Sequence, residues 1–181
     1  RVYCWGSNDL YQLGSMGESE SSTSIPRQAD LPDDANPIQI AAGYHHTCAL
    51  FANGSVMCWG DNEQGAIGNG EEGLGASNEP DFALLGSFGE AVHIDAQRHT
   101  CAVMWDGSLY CWGAGNFGNG TSNSPSPNER TLPLGVEAVA VAAGGPHGSS
   151  SGYDGQTCVI TQNESVLCWG HDGSFGALGY N

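Results

Sequence analysis

Seven cysteines are the residues of this chain best placed to do chemistry. Six fall into pairs ten positions apart: Cys48 with Cys58, Cys101 with Cys111, and Cys158 with Cys168. Thiols so placed can oxidise to disulfides, bind a metal as thiolates, or stay reduced in a core. His46 next to this set keeps zinc open, although no Cys-x-x-Cys pair occurs. Cys4 has no mate ten positions earlier, since the chain has not started; it is unpaired or paired upstream. His46, His99 and His147 hold the same place in successive units. Repeated identically, they suit packing or a backbone hydrogen bond better than catalysis, which needs nucleophile, base and orienter at one asymmetric site. No nucleophile-elbow, His-Glu-x-x-His or phosphate-loop pattern is present, so the expectation is a protein that is not an enzyme.

The elements that position these cysteines are β-hairpins. Thr47–Phe51 and Ser55–Trp59 flank the loop Ala52-Asn53-Gly54, whose last glycine suits a type I turn closed by a left-handed residue. Counting outward puts Phe51 opposite Ser55 and Cys48 opposite Cys58. Trp105-Asp106-Gly107 does the same for Cys101 and Cys111, and Gln162-Asn163-Glu164 for Cys158 and Cys168, there without glycine. Opposed residues bring Cβ atoms close enough for a disulfide, worth roughly 3 kcal/mol for so short a loop. Cys48, Leu50, Val56 and Cys58 share one face; Ala49, Phe51, Met57 and Trp59 share the other. Both faces are apolar, so each hairpin must be covered on both sides, as in the stacked blades of a propeller.

Cys-Trp-Gly recurs at residues 4, 58, 111 and 168, and a period near 50 residues marks an array of similar units. The segments Ile40-Ala41-Ala42-Gly43-Tyr44-His45-His46-Thr47-Cys48 and Cys58-Trp59-Gly60-Asp61-Asn62-Glu63-Gln64-Gly65 resemble one repeat of the regulator of chromosome condensation family. His99-Thr100-Cys101, Val141-Ala142-Ala143-Gly144 and Gln12-Leu13-Gly14 extend the resemblance over nearly the whole chain. It implies an all-β fold: a propeller of four-stranded blades, seven when complete. About three and a half repeats are present. The whole of 1–181 then reads as part of one propeller domain, with the closing half of a repeat at 1–14 and full repeats at about 38–70, 92–120 and 139–181. The chain reads as part of a larger ring, or as one of two copies that close a ring, with two blade faces left bare. The cysteine pairs resemble secreted and cell-surface versions of the family.

Composition narrows the partners. Formal charge is −16, with 20 acidic and four basic residues, so a phosphate backbone is repelled and nucleic acid is not expected. No run of about 18 apolar residues exists to span a membrane. Regular cysteine pairs suit an oxidising compartment, which points outside the cell or to its surface. Asn53, Asn119 and Asn163 head glycosylation triplets. Acidic loops, Asp30 with Asp33 and Asp34, and Glu71 and Glu72 with Glu79 and Asp81, could hold calcium but lack a recognisable ligand spacing. The linkers Ser15–Pro37, Glu71–Ala91 and Asn119–Gly135 suit surface loops and short outer strands. The third unit inserts Gly148–Gln156, whose Gly, Ser and tyrosine content resembles a binding loop; Tyr153, Asp154 and the hairpin-tip Trp105 are the partner-binding candidates. The expected function is a non-catalytic extracellular module that binds a protein partner or neighbouring subunits of an assembly. Its rivals are a guanine-nucleotide exchange factor for a small GTPase, which the family implies, and a secreted protein inhibitor of an enzyme.

Overall fold

The computed structural model describes residues 1–15, 20–73, 75–115, 123–145, 155–170 and 178. Every regular element among them is a strand: β1 (Tyr3–Ser7), β2 (Ser22–Gln28), β3 (Pro37–Ala42), β4 (His46–Phe51), β5 (Val56–Asp61), β6 (Ala76–Phe82), β7 (Ala91–Ala96), β8 (His99–Met104), β9 (Leu109–Ala114), β10 (Asn123–Arg130), β11 (Ala138–Gly144), β12 (Gln156–Thr161) and β13 (Val166–Gly170). They form antiparallel sheets in chain order: β1-β2, β3 to β6, β7 to β10, and β11 to β13.

The hairpin registers follow from the loops. Cys48 faces Cys58, Cys101 faces Cys111 and Cys158 faces Cys168. In all three loops the last residue is left-handed: Gly54 at φ 77°, Gly107 at φ 80° and Glu164 at φ 63°. The third loop thus keeps the geometry of the others without their glycine, at a cost of roughly 1–2 kcal/mol for a side chain in that region. The glycine of each Cys-Trp-Gly lies at positive φ, and a Cβ on Gly60 would sit 2.5 Å from the His45 carbonyl oxygen. That close approach, beside a break in ladder register between Cys58 and Gly60, explains why the tripeptide ends in glycine.

The polar linkers contain the outer strands β2, β6 and β10. An outer strand needs only backbone hydrogen bonds on one side, so it tolerates Pro26, Pro80, Pro125 and Pro127. The sheets stack face on face. The cysteine face of each packs on the tryptophan face of the next: Leu50, Val56 and Cys58 meet Ala102, Met104, Tyr110 and Trp112. Val103, Leu109 and Cys111 meet Val159, Leu167 and Trp169. Cys4 and Val2 of the first sheet meet Ala49, Phe51, Met57 and Trp59. β3, β7 and β11 are the inner edges of this stack, and neighbouring inner strands touch.

Candidate functional site

The six paired cysteines are joined as the disulfides Cys48–Cys58, Cys101–Cys111 and Cys158–Cys168, each with Cα atoms 4.1 Å apart. Bonded sulfurs cannot ligate zinc, so that alternative falls. Among the described residues no three His, Cys, Asp or Glu side chains converge on a metal position, and this includes both acidic clusters. Asp81 instead accepts from the Asn69 amide at 2.9 Å. Cys4 is a half-buried free thiol, and burial pushes its pKa up.

The histidines are structural partners. His46 Nε2 lies 2.7 Å from the Thr100 hydroxyl of the next sheet, and His99 Nε2 lies 2.9 Å from that of Thr157. The partner is a side-chain hydroxyl, where the sequence suggested packing or a backbone group. Both rings are buried, which drives each pKa down to about 4 and keeps them neutral. Trp59 and Trp112 complete the same seam. Their Nε1–H groups donate to the carbonyls of Gln12 at 3.0 Å and Ala66 at 2.9 Å. Gly14 and Gly68 lie so close that an added Cβ would meet each indole at 2.6 Å. Asn8 and Asn62 hold these loops by accepting from Leu13 N–H and Ile67 N–H, both at 3.1 Å. Every part of the seam recurs from sheet to sheet, so it builds the scaffold.

What does not recur lies on the rim made by the hairpin tips and the connections into β3, β7 and β11. Trp105 N–H donates to the Glu90 carbonyl at 2.8 Å, Gln162 N–H to that of Glu137 at 2.9 Å, and Ala52 N–H to that of Asn36 at 2.9 Å. Each of these bonds ties a tip to the connection into the first strand of its own sheet, and Ala91 N–H and Ala138 N–H reach back to the Gly54 and Gly107 carbonyls of the preceding tips at 3.0 and 2.9 Å, so the loops form one continuous edge. Residues 29–36, 52–55, 83–90, 105–108, 131–137 and 162–165 carry seven carboxylates and no Lys, Arg or His. Of the nearby arginines, Arg130 is 4% exposed and Arg1 stands at the first-sheet end. Apolar side chains project from this acidic edge: Trp105 is 82% exposed, Leu134 fully so, and Leu84 and Phe88 about half or less. A cleft of 520 Å³ opens between the tip Asn53–Ser55 and the loop from Phe82 to Glu90.

Asn53 and Asn163 are exposed on hairpin tips of this rim. Asn119, His147, Tyr153 and Asp154 lie outside the described residues. The strands that flank the insertion, β11 and β12, meet at Gly144 and Gln156, on the rim opposite Trp105. Of the three partner-binding candidates, Trp105 alone is among the described residues. The described residues of that opposite rim include Tyr44, with His45 against its ring at 4.1 Å and Arg98 5.9 Å above it. Sequence reasoning did not single out Glu90, Glu137, Leu84 or Leu134. The available signal was the recurrence of a glutamate just before β7 and β11.

The family model for the regulator of chromosome condensation repeat matches residues 1–50 and, in a second version, 38–66. Among curated proteins, the chain is 34% identical over 85% of its length to the Ultraviolet-B receptor UVR8 of Arabidopsis thaliana. It is 30% identical over 81% to the regulator of chromosome condensation of Homo sapiens, and covers 35% of each. It is 30% identical over its whole length to the probable E3 ubiquitin-protein ligase HERC6 of Homo sapiens, covering 17% of it. The chain thus spans about a third or less of these relatives. Among solved structures, Prp20p of Saccharomyces cerevisiae, described for its binding to Gsp1p and histones, superposes with a TM-score of 0.80 at 22% identity, over 99% of this chain and 43% of its own. Human WBSCR16 superposes at 0.76 and 20% identity, over 94% and 42%. These two likenesses establish the fold, that of a β-propeller.

Proposed function

We propose that this chain, a member of the regulator of chromosome condensation repeat family, is a non-catalytic protein-binding module that works outside the cell or at its surface. The observation that carries the binding half is the hairpin rim. Trp105 and Leu134 project from rigid loops into solvent, and exposed apolar side chains in a polar surround mark interaction sites. The seam behind them absorbs the repeated histidines and tryptophans, leaving no candidate catalytic set among the residues singled out. The extracellular half rests on the three disulfides, which suit an oxidising compartment.

A photocrosslinking side chain at position 105 tests the first half in the native setting. Adducts to a protein at position 105, absent when the same group replaces Glu63 on the opposite rim, are the expected result. Equal labelling at both positions would remove the rim from consideration. Alkylation of the native protein tests the second half. Six blocked cysteines and surface access to protease on intact cells are expected, whereas six free thiols would place the protein in a reducing compartment. Catalysed nucleotide release from a small GTPase would overturn the non-catalytic reading.

A further inference from the structure

The cleft beside Trp105 has a composition that specifies its occupant. Leu85, 2% exposed, forms its floor, and Phe82 and Leu84, each about half exposed, form its wall. Asn53 and Glu90 stand at the mouth. The Glu90 backbone is held from two sides. Its carbonyl accepts the Trp105 N–H, and its Cβ lies against Gly54 so closely that an added Cβ there would be 2.4 Å away. Its side chain remains exposed and has no ion-pair partner among the described residues.

We infer that this cleft receives a lysine or arginine side chain from a basic segment of a partner protein, with the aliphatic stem on Phe82 and Leu84 and the cationic head at Glu90. The inference rests on the rim reading above and names what the rim recognises. Long cationic side chains bury their methylenes on apolar surface while the head stays at the edge, and the cleft offers both parts in that order. A carboxylate strengthens the hydrogen bonds of a cationic donor. Trp105, 82% exposed, is joined to Glu90 through its backbone N–H and so stands next to it on the rim. A purely apolar occupant would strip water from Glu90 without replacing it. An anionic occupant, including a phosphate-bearing surface, would meet seven rim carboxylates and no rim cation. Asn53 lines the same mouth, so a glycan there would compete for the cleft.

The test uses the unglycosylated chain and four short fluorescent peptides that alternate leucine with lysine, arginine, glutamine or glutamate, read by anisotropy. The lysine and arginine peptides should bind, and the glutamine and glutamate peptides should bind more weakly or not at all. Glu90→Gln should weaken the basic peptides about tenfold, the loss of one charged contact. Glu63→Gln, which removes the same charge from the opposite rim, should change them less than about twofold. Equal losses from the two variants would show bulk attraction to an acidic chain and overturn the inference. Glutamine peptides binding as well as basic ones, and lost on Trp105→Ala, would overturn the cationic occupant while keeping the rim. Failure of every peptide would also overturn the cleft, and crosslinking at position 105 would then decide the rim independently.

Discussion

The seam between sheets and the hairpin rim are made by the same repeats and behave in opposite ways. At the seam, Trp59 and Trp112, His46 and His99, and Gly14 and Gly68 superimpose in role, partner and distance. On the rim, Ala52, Trp105 and Gln162 hold one position in three hairpins and share only a backbone hydrogen bond. Repetition is found where apolar area is buried, because each sheet must fit the next. Variation is found where the backbone alone maintains the structure and the side chain is free to meet a partner.

Acid should separate the two regions most widely. Burial lowers the His46 and His99 pKa values to about 4 from an unfolded value near 6.5. Between these values the unfolded chain binds more protons, so the stability that neutral histidines contribute is complete above pH 6.5. It declines as pH falls towards 4, by about 3 kcal/mol for each ring. On the rim, hydrogen bonds from the Ser108 hydroxyl and N–H hold the Asp106 carboxyl below its usual range, so it stays charged through this window. Denaturation measured from pH 7 to 4 should show the decline, and a His46→Gln, His99→Gln variant should flatten it. An unchanged slope in that variant would end the contrast.

Paired tryptophan substitutions come next. Trp112→Ala removes a fully buried side chain and its hydrogen bond and should cost about 3–5 kcal/mol in urea denaturation. Trp105→Ala should stay within about 0.5 kcal/mol of the parent. A large loss from Trp105→Ala would make the rim a part of the scaffold. Replacing both Cys101 and Cys111 by serine should cost roughly 3 kcal/mol, read in the same way. The smallest change is at the third hairpin tip. Glu164→Gly should stabilise by about 1 kcal/mol, the roughly 1–2 kcal/mol of the left-handed side chain less the extra entropy that a glycine loses on folding. Destabilisation there would mean that the glutamate has a role that the other two tips lack.

The hairpins were legible in the sequence because three features agree in each: loop length, cysteine spacing and apolar faces. The third held its register even where Glu164 replaced glycine, since Cys158 and Cys168 still had to meet. The outer strands were harder to see. β10 reads Asn-Ser-Pro-Ser-Pro-Asn-Glu-Arg, and its pairing with β9 slips between Ser124 and Asn128, so no alternation survives to mark it. The rim was legible only at Trp105. Glu90 and Phe82 gain meaning from a hairpin tip some thirty residues earlier, and only the stacking of sheets brings them beside it.

The seam has a direction. At each described junction the cysteine face meets the tryptophan face of the following sheet, and both seam histidines, His46 and His99, reach forward to a threonine of that sheet. Such a contact is head-to-tail and carries no internal stop: the rotation per sheet alone decides whether a series closes or continues as a filament. Trp5, 63% exposed on the first sheet, and Ile160 and Val166, exposed on the last, are the two uncovered halves of that one contact. The side chains exposed on these two faces are of the same kinds as those that meet between sheets inside the chain, where Leu50 and Val56 pack against Trp112.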